Sequence, residues 1–132
     1  MCWNLTKKTL KSCGTIDIHQ MSSILLDKIE EMGDNSVELY LADKSCKVYN
    51  KDTVKKFLSL DETDKIGYIA EEMDCDDFSA ELYGKGVPLI WTNTHAFNWF
   101  IDETDTLWFV EPQTDKLSQT LDNWNIRFFL SR

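Results

Sequence analysis

The chain has 132 residues and a mass of 15.4 kDa, the size of one ordinary domain. Its 14 Lys and Arg against 23 Asp and Glu give a net charge of −9, which argues against nonspecific nucleic-acid binding and an anionic membrane surface. A hydrophobic share of 42% with 12% aromatics excludes global disorder.

The start, Met1 to Lys11, carries lysines and scattered apolar residues but no apolar h-region of a signal peptide. No apolar run approaches the roughly 18 residues that cross a membrane. The expected location is cytoplasmic. Cys2, Cys13, Cys46 and Cys75 lack zinc-knuckle spacing, and His19 and His95 are the only histidines, so neither a structural zinc nor a disulfide framework is expected.

Met21, Leu25, Ile29 and Met32, with Ile24 beside them, have helical spacing, and Gly33 suits a C-terminal stop. Val37, Leu39 and Leu41 alternate as a short strand. Asp52 offers an N-cap for a helix using Val54, Phe57 and Leu58. Asp61 to Glu72 is acidic and weakly periodic, a solvated face. A further helix opens at Asp74, turns Cys75, Phe78, Ser79 and Leu82 inward, and ends at Gly84.

After Gly86 the chain becomes rich in aromatic and branched residues. Val87–Asn93, His95–Ile101, Thr106–Glu111 and Trp124–Leu130 read as strands. The run Asp102 to Asp105 is a turn signal, which makes the middle pair a hairpin with His95 opposite position 112. Helices followed by strands predict one α+β domain over residues 1–132, its N-terminal helices packed on an antiparallel sheet. Trp124, Phe128 and Phe129 are expected in the sheet core. Trp91, Trp99 and Trp108 are expected to pack, with lining of a hydrophobic subsite as their other role.

Three short stretches carry chemistry: Cys75-Asp76-Asp77-Phe78, His95-Ala96-Phe97-Asn98 and Glu111-Pro112-Gln113-Thr114. A thiol at a helix N-terminus is favoured as thiolate by the helix dipole. A histidine on a neighbouring strand can act as its base, and a carboxylate on the next strand can hold the imidazole in one tautomer. The candidate triad is therefore Cys75, His95 and Glu111. Asp74, Asp76 and Asp77 disfavour a thiolate, a penalty that a bound cation would cancel. Asp76, Asp77, Glu111 and the amide oxygen of Gln113 are hard oxygen ligands suited to calcium or manganese.

These motifs together resemble the papain-like cysteine peptidase domain of the fairy-ring mushroom agglutinin and related small bacterial and phage proteins. More broadly they are similar to transglutaminase-like cysteine peptidases. The likeness spans about Tyr68 to Asp115 and implies a papain/transglutaminase-like core. It implies Cys75 as nucleophile, His95 as general base and Glu111 as orienting acid, with a peptide or protein substrate. It also places Asp76, Asp77, Glu111 and Gln113 on the family's calcium or manganese pattern, where a Glu111 that binds metal is not free to orient His95. The family's side-chain oxyanion donor has no glutamine here, and Tyr68 is the candidate in its place.

The leading expectation is thus a cation-modulated cysteine hydrolase. One alternative is a non-catalytic acidic binding protein on the same scaffold, such as a phage inhibitor of a host protein. Another is a transglutaminase-type acyl transferase.

Overall fold

A computed structural model describes residues 10–33, 36–60, 75–93, 95–121 and 125–132; the side chains of residues 75–77 are outside the description. The elements in chain order are β1 (Gly14–Asp17), α1 (Ile18–Glu31), β2 (Glu38–Tyr40), β3 (Ser45–Val48) and α2 (Lys51–Leu60). They continue with α3 (Cys75–Gly84), β4 (Leu89–Thr92), β5 (Ala96–Ile101), β6 (Leu107–Glu111), β7 (Lys116–Ser118) and β8 (Ile126–Leu130).

The architecture is α+β, with a mixed rather than purely antiparallel main sheet. Six strands run in the order β2-β8-β4-β5-β6-β7, and β2 lies parallel to β8 while the other pairs are antiparallel. A second sheet pairs β1 with β3. The sequence reading missed β1, β3 and β7. Each is only three or four residues long, too short for alternation to stand out.

α1 forms as its spacing predicts, but it begins earlier. The Asp17 side chain accepts the Gln20 N–H at 2.8 Å and caps the N-terminus, and Gly33 takes φ +74° just past the end. Met21, Leu25 and Ile29 are its buried face. α2 is capped by Asn50, which accepts the Thr53 N–H at 3.1 Å, and not by Asp52, which sits in the first turn. Val54 and Leu58 are buried as expected.

α3 buries Phe78, Ser79 and Leu82. It ends at Gly84, as expected. The turn that ends it closes through Val87 N–H to Leu82 C=O at 3.0 Å and uses Gly86 at φ +113°. A Cβ at Gly86 would meet Leu10 only at an ordinary contact distance of 3.6 Å, so it is the backbone angle that calls for glycine.

The main sheet separates two apolar layers. On one face Ile90, Phe97, Trp99, Ile101, Phe109 and Phe129 pack with Met21, Leu25 and Ile29 of α1. On the other, Phe100 and Val110 pack with Val54 and Leu58 of α2 and Leu82 of α3. The alternation of strand side chains produces this division. Trp99 is fully buried, with its indole N–H donating to Leu89 C=O at 2.9 Å. Phe129 belongs to the core, Phe128 lies half-buried on the opposite face, and Trp124 falls outside the described residues.

Candidate functional site

The hairpin β5–β6 brings two of the three expected triad residues together. His95 Nε2 lies 2.7 Å from Glu111 Oε2, with both side chains partly exposed. The register differs by one from the sequence expectation. The ladder ends at Asn98 opposite Val110, which puts Phe97 across from Glu111 and His95 two residues further along. Alternation then places His95, Phe97 and Glu111 on one face of the sheet. The His95 ring meets the Phe97 ring edge-on at 4.3 Å between centroids.

Local structure fixes both partners. The turn from β4 to β5 is closed by Thr92: its N–H and hydroxyl both donate to His95 C=O, at 2.8 and 2.6 Å, and its oxygen accepts the His95 N–H at 2.9 Å. Glu111 uses its second oxygen to accept the Gln113 N–H at 3.1 Å. Its backbone carbonyl accepts from Asp115 at 2.8 Å, in a turn where Asp115 adopts φ +63°. The carboxylate therefore holds the imidazole and is itself held by the turn after β6.

Cys75 is the first residue of the ten-residue helix α3, the position its thiol chemistry would need. Two buried hydrogen bonds pin α3 to β5, and a third ties β5 to the segment that follows α3. Ser79 Oγ donates to Phe97 C=O at 2.7 Å, and Asn98 Nδ2 donates to Ser79 C=O at 3.0 Å and to Val87 C=O at 3.1 Å. Asn98 was part of a sequence motif, but its bracing role was not legible there. The Cys75, Asp76 and Asp77 side chains lie outside the description, and so does Tyr68, the expected oxyanion donor. Among the described residues, no three His, Cys, Asp or Glu side chains gather as a metal cluster.

The other cysteines differ from each other. Cys13 is exposed; Cys46 is buried, and burial pushes its thiol up to about 11. Trp108 does not join the site. Its indole N–H donates to Asp102 Oδ2 at 2.8 Å, and the Lys51 ammonium sits 3.9 Å over its ring.

Sequence reasoning missed a concavity elsewhere on the sheet. β2, β8 and β4 form a trough of about 570 Å³ lined by Tyr40, Trp91 and Phe128 with polar residues at its rim. Its strands are distant in sequence, and only the aromatic richness of β4 and β8 hinted at it.

No family model matches the chain, and no curated protein matches it. Solved structures do. The chain is similar to PSL1a in a structure described as its complex with E64, at 20% identity and a TM-score of 0.76, over 88% of this chain and 50% of that one. It is also similar to Polyporus squamosus lectin bound to the human-type influenza-binding epitope Neu5Acα2-6Galβ1-4GlcNAc, at 20% identity and a TM-score of 0.73, over 88% of this chain and 49% of that one.

This chain thus spans about half the length of the structures it matches, and the likeness concerns the fold. It corrects the expectation drawn from the three motifs. The matched structures are described as a lectin and as a complex with E64, not as a papain-like peptidase. The assignment to a cysteine hydrolase is withdrawn on that finding, together with the acidic inhibitor and acyl-transferase alternatives. A peptide substrate has no support. Among the described residues no helix is long and apolar enough to cross a membrane. The chain shares the fold of one half of these lectin structures.

Proposed function

We propose that the chain is a ligand-binding domain, with its ligand seated where the β5–β6 end of the main sheet approaches the start of α3. The site residues are His95, Glu111 and Cys75. The observation that supports this reading is the His95–Glu111 pair at 2.7 Å, an imidazole oriented by a carboxylate and still partly open to solvent. Ligand sites characteristically hold a few polar groups fixed by second contacts, as Glu111 is by the Gln113 N–H. Cys75 would add a thiol polarised by the helix N-terminus.

A divalent cation, calcium or manganese, on Asp76, Asp77, Glu111 and Gln113 belongs to an alternative state of the same site, in which Glu111 has released His95. A rise in melting temperature on adding either ion would support it, and an unchanged melting temperature would remove it.

E64 is the compound named with one structural neighbour, and it is the first ligand to try here. The histidine side-chain ¹⁵N spectrum of the whole chain, recorded with and without E64, tests the site. Selective shifts of the His95 resonances, with His19 unmoved, are the expected result. No shift at His95 would reject the site.

A further inference from the structure

We infer that the trough over β2, β8 and β4 is a saccharide-binding site, separate from the His95–Glu111 pair. Its floor is aromatic. Trp91 and Phe128 are cross-strand partners whose rings stack 11° from parallel with centroids 6.0 Å apart. Tyr40, on the neighbouring strand, meets Phe128 edge-on at 5.6 Å. Tyr40 is 49% exposed and Trp91 and Phe128 are half-buried, so the floor is not sealed by the core.

The rim is polar and carries both charges. Glu38 and Arg127 line the same trough with Asn125, all three exposed. Glu38 already accepts the Tyr40 hydroxyl, and this hydrogen bond raises the Tyr40 phenol above its ordinary value. The Glu38 contact ties the Tyr40 side chain to the polar side of the trough.

This combination selects its ligand class. A pyranose ring has a C–H face that packs on an aromatic plane and an equatorial rim of hydroxyls. Each hydroxyl both donates and accepts, so it needs a mixed set of partners. Glu38 accepts, Arg127 donates, and Asn125 does both. A purely apolar ligand would leave these groups without use. A nucleic acid is disfavoured by the chain's net charge of −9. The volume of about 570 Å³ lies within the range of small-ligand sites.

The trough and the His95–Glu111 pair are on opposite faces of the sheet. Trp91 pairs with Ala96, whose neighbours His95 and Phe97 point to the other side. The inference therefore stands independently of the proposed function, and the two fail separately.

The test is a glycan array of neutral and sialylated oligosaccharides, including Neu5Acα2-6Galβ1-4GlcNAc, probed with the full chain and with Tyr40→Ala, Arg127→Ala and His95→Gln. Tyr40 and Arg127 are exposed, so these changes leave the fold intact, which an unchanged melting temperature verifies. The expected result is binding to at least one saccharide class, lowered about tenfold or more by Tyr40→Ala and by Arg127→Ala and unchanged by His95→Gln. Absence of binding to every glycan overturns the inference. Binding that survives both trough substitutions overturns it as well.

Discussion

Glu111 joins His95 to the turn that follows β6: one carboxylate oxygen lies 2.7 Å from His95 Nε2 and the other accepts the Gln113 N–H at 3.1 Å. The pair is a strut between two turns at the same end of the sheet. Replacing Glu111 by Ala removes both contacts. Because the side chains are 17% and 24% exposed, solvent screens much of the interaction, and the expected stability loss is about 1 kcal/mol. The more telling readout is the His95 ring, whose NMR resonances should broaden or shift in Glu111→Ala. Unchanged His95 resonances would show that Glu111 does not orient it.

Asp102 is the structural hub of the β5–β6 turn. Its Oδ1 accepts Thr104 N–H, Thr104 hydroxyl and Thr106 N–H at 2.8, 2.6 and 3.1 Å, and its Oδ2 accepts the Trp108 indole. Burial alone would raise this carboxyl, but the hydrogen bonds outweigh it and hold it below its usual 3.8. A lowered folded value contributes stability that is present above the unfolded value and is lost as pH falls through the folded one. Asp102→Asn should therefore be less stable at neutral pH, by about 2 kcal/mol, and should lose less stability on acidification below pH 3.8. Urea melts of both proteins at neutral and acid pH measure this. Parallel acid losses would refute the role given to Asp102.

Cys46 should be inert toward iodoacetamide at neutral pH in the folded protein, because it is 3% exposed and its thiol is pushed up to about 11. Cys13, exposed, should be alkylated well before Cys46. Peptide mapping after timed alkylation separates them. The raised thiol also predicts that stability falls as pH climbs from 9 toward 11, since the unfolded chain then releases its proton more readily. A Cys46→Ala variant should lose that part of the alkaline dependence.

Asn98 donates one hydrogen bond to Ser79 in α3 and one to Val87 in the segment after it, while its Oδ1 has no partner among the described residues. Asn98→Leu keeps similar bulk but strands the carbonyls of Ser79 and Val87. A loss of about 2 to 3 kcal/mol is expected, with faster amide hydrogen exchange concentrated in α3. Uniformly faster exchange over the whole chain would instead mark Asn98 as an ordinary core residue.

Much of this arrangement could be read from side-chain periodicity. α1 announced itself through Met21, Leu25 and Ile29, and the β5–β6 hairpin through its Asp-Glu-Thr-Asp turn, because local spacing dictates both. What escaped was set by distant partners. Gly14–Asp17 is a strand only because Ser45–Val48 lies beside it, and β2 closes the sheet by a parallel pairing with β8 some ninety residues later. The His95–Glu111 pair was legible because both residues flank one hairpin. The trough was not, since Tyr40 and Phe128 meet only through that parallel pairing. The functional reading suffered most: three short motifs specified a chemistry, and the fold likeness pointed elsewhere.

The most direct test of the proposed ligand site is an isothermal titration of E64 into the whole chain, its His95→Gln variant and its Tyr40→Ala variant. One site per chain is expected, weakened about tenfold or more by His95→Gln and untouched by Tyr40→Ala. Equal affinity in the wild-type and His95→Gln proteins, or no heat with wild type, would contradict a ligand site at His95 and Glu111.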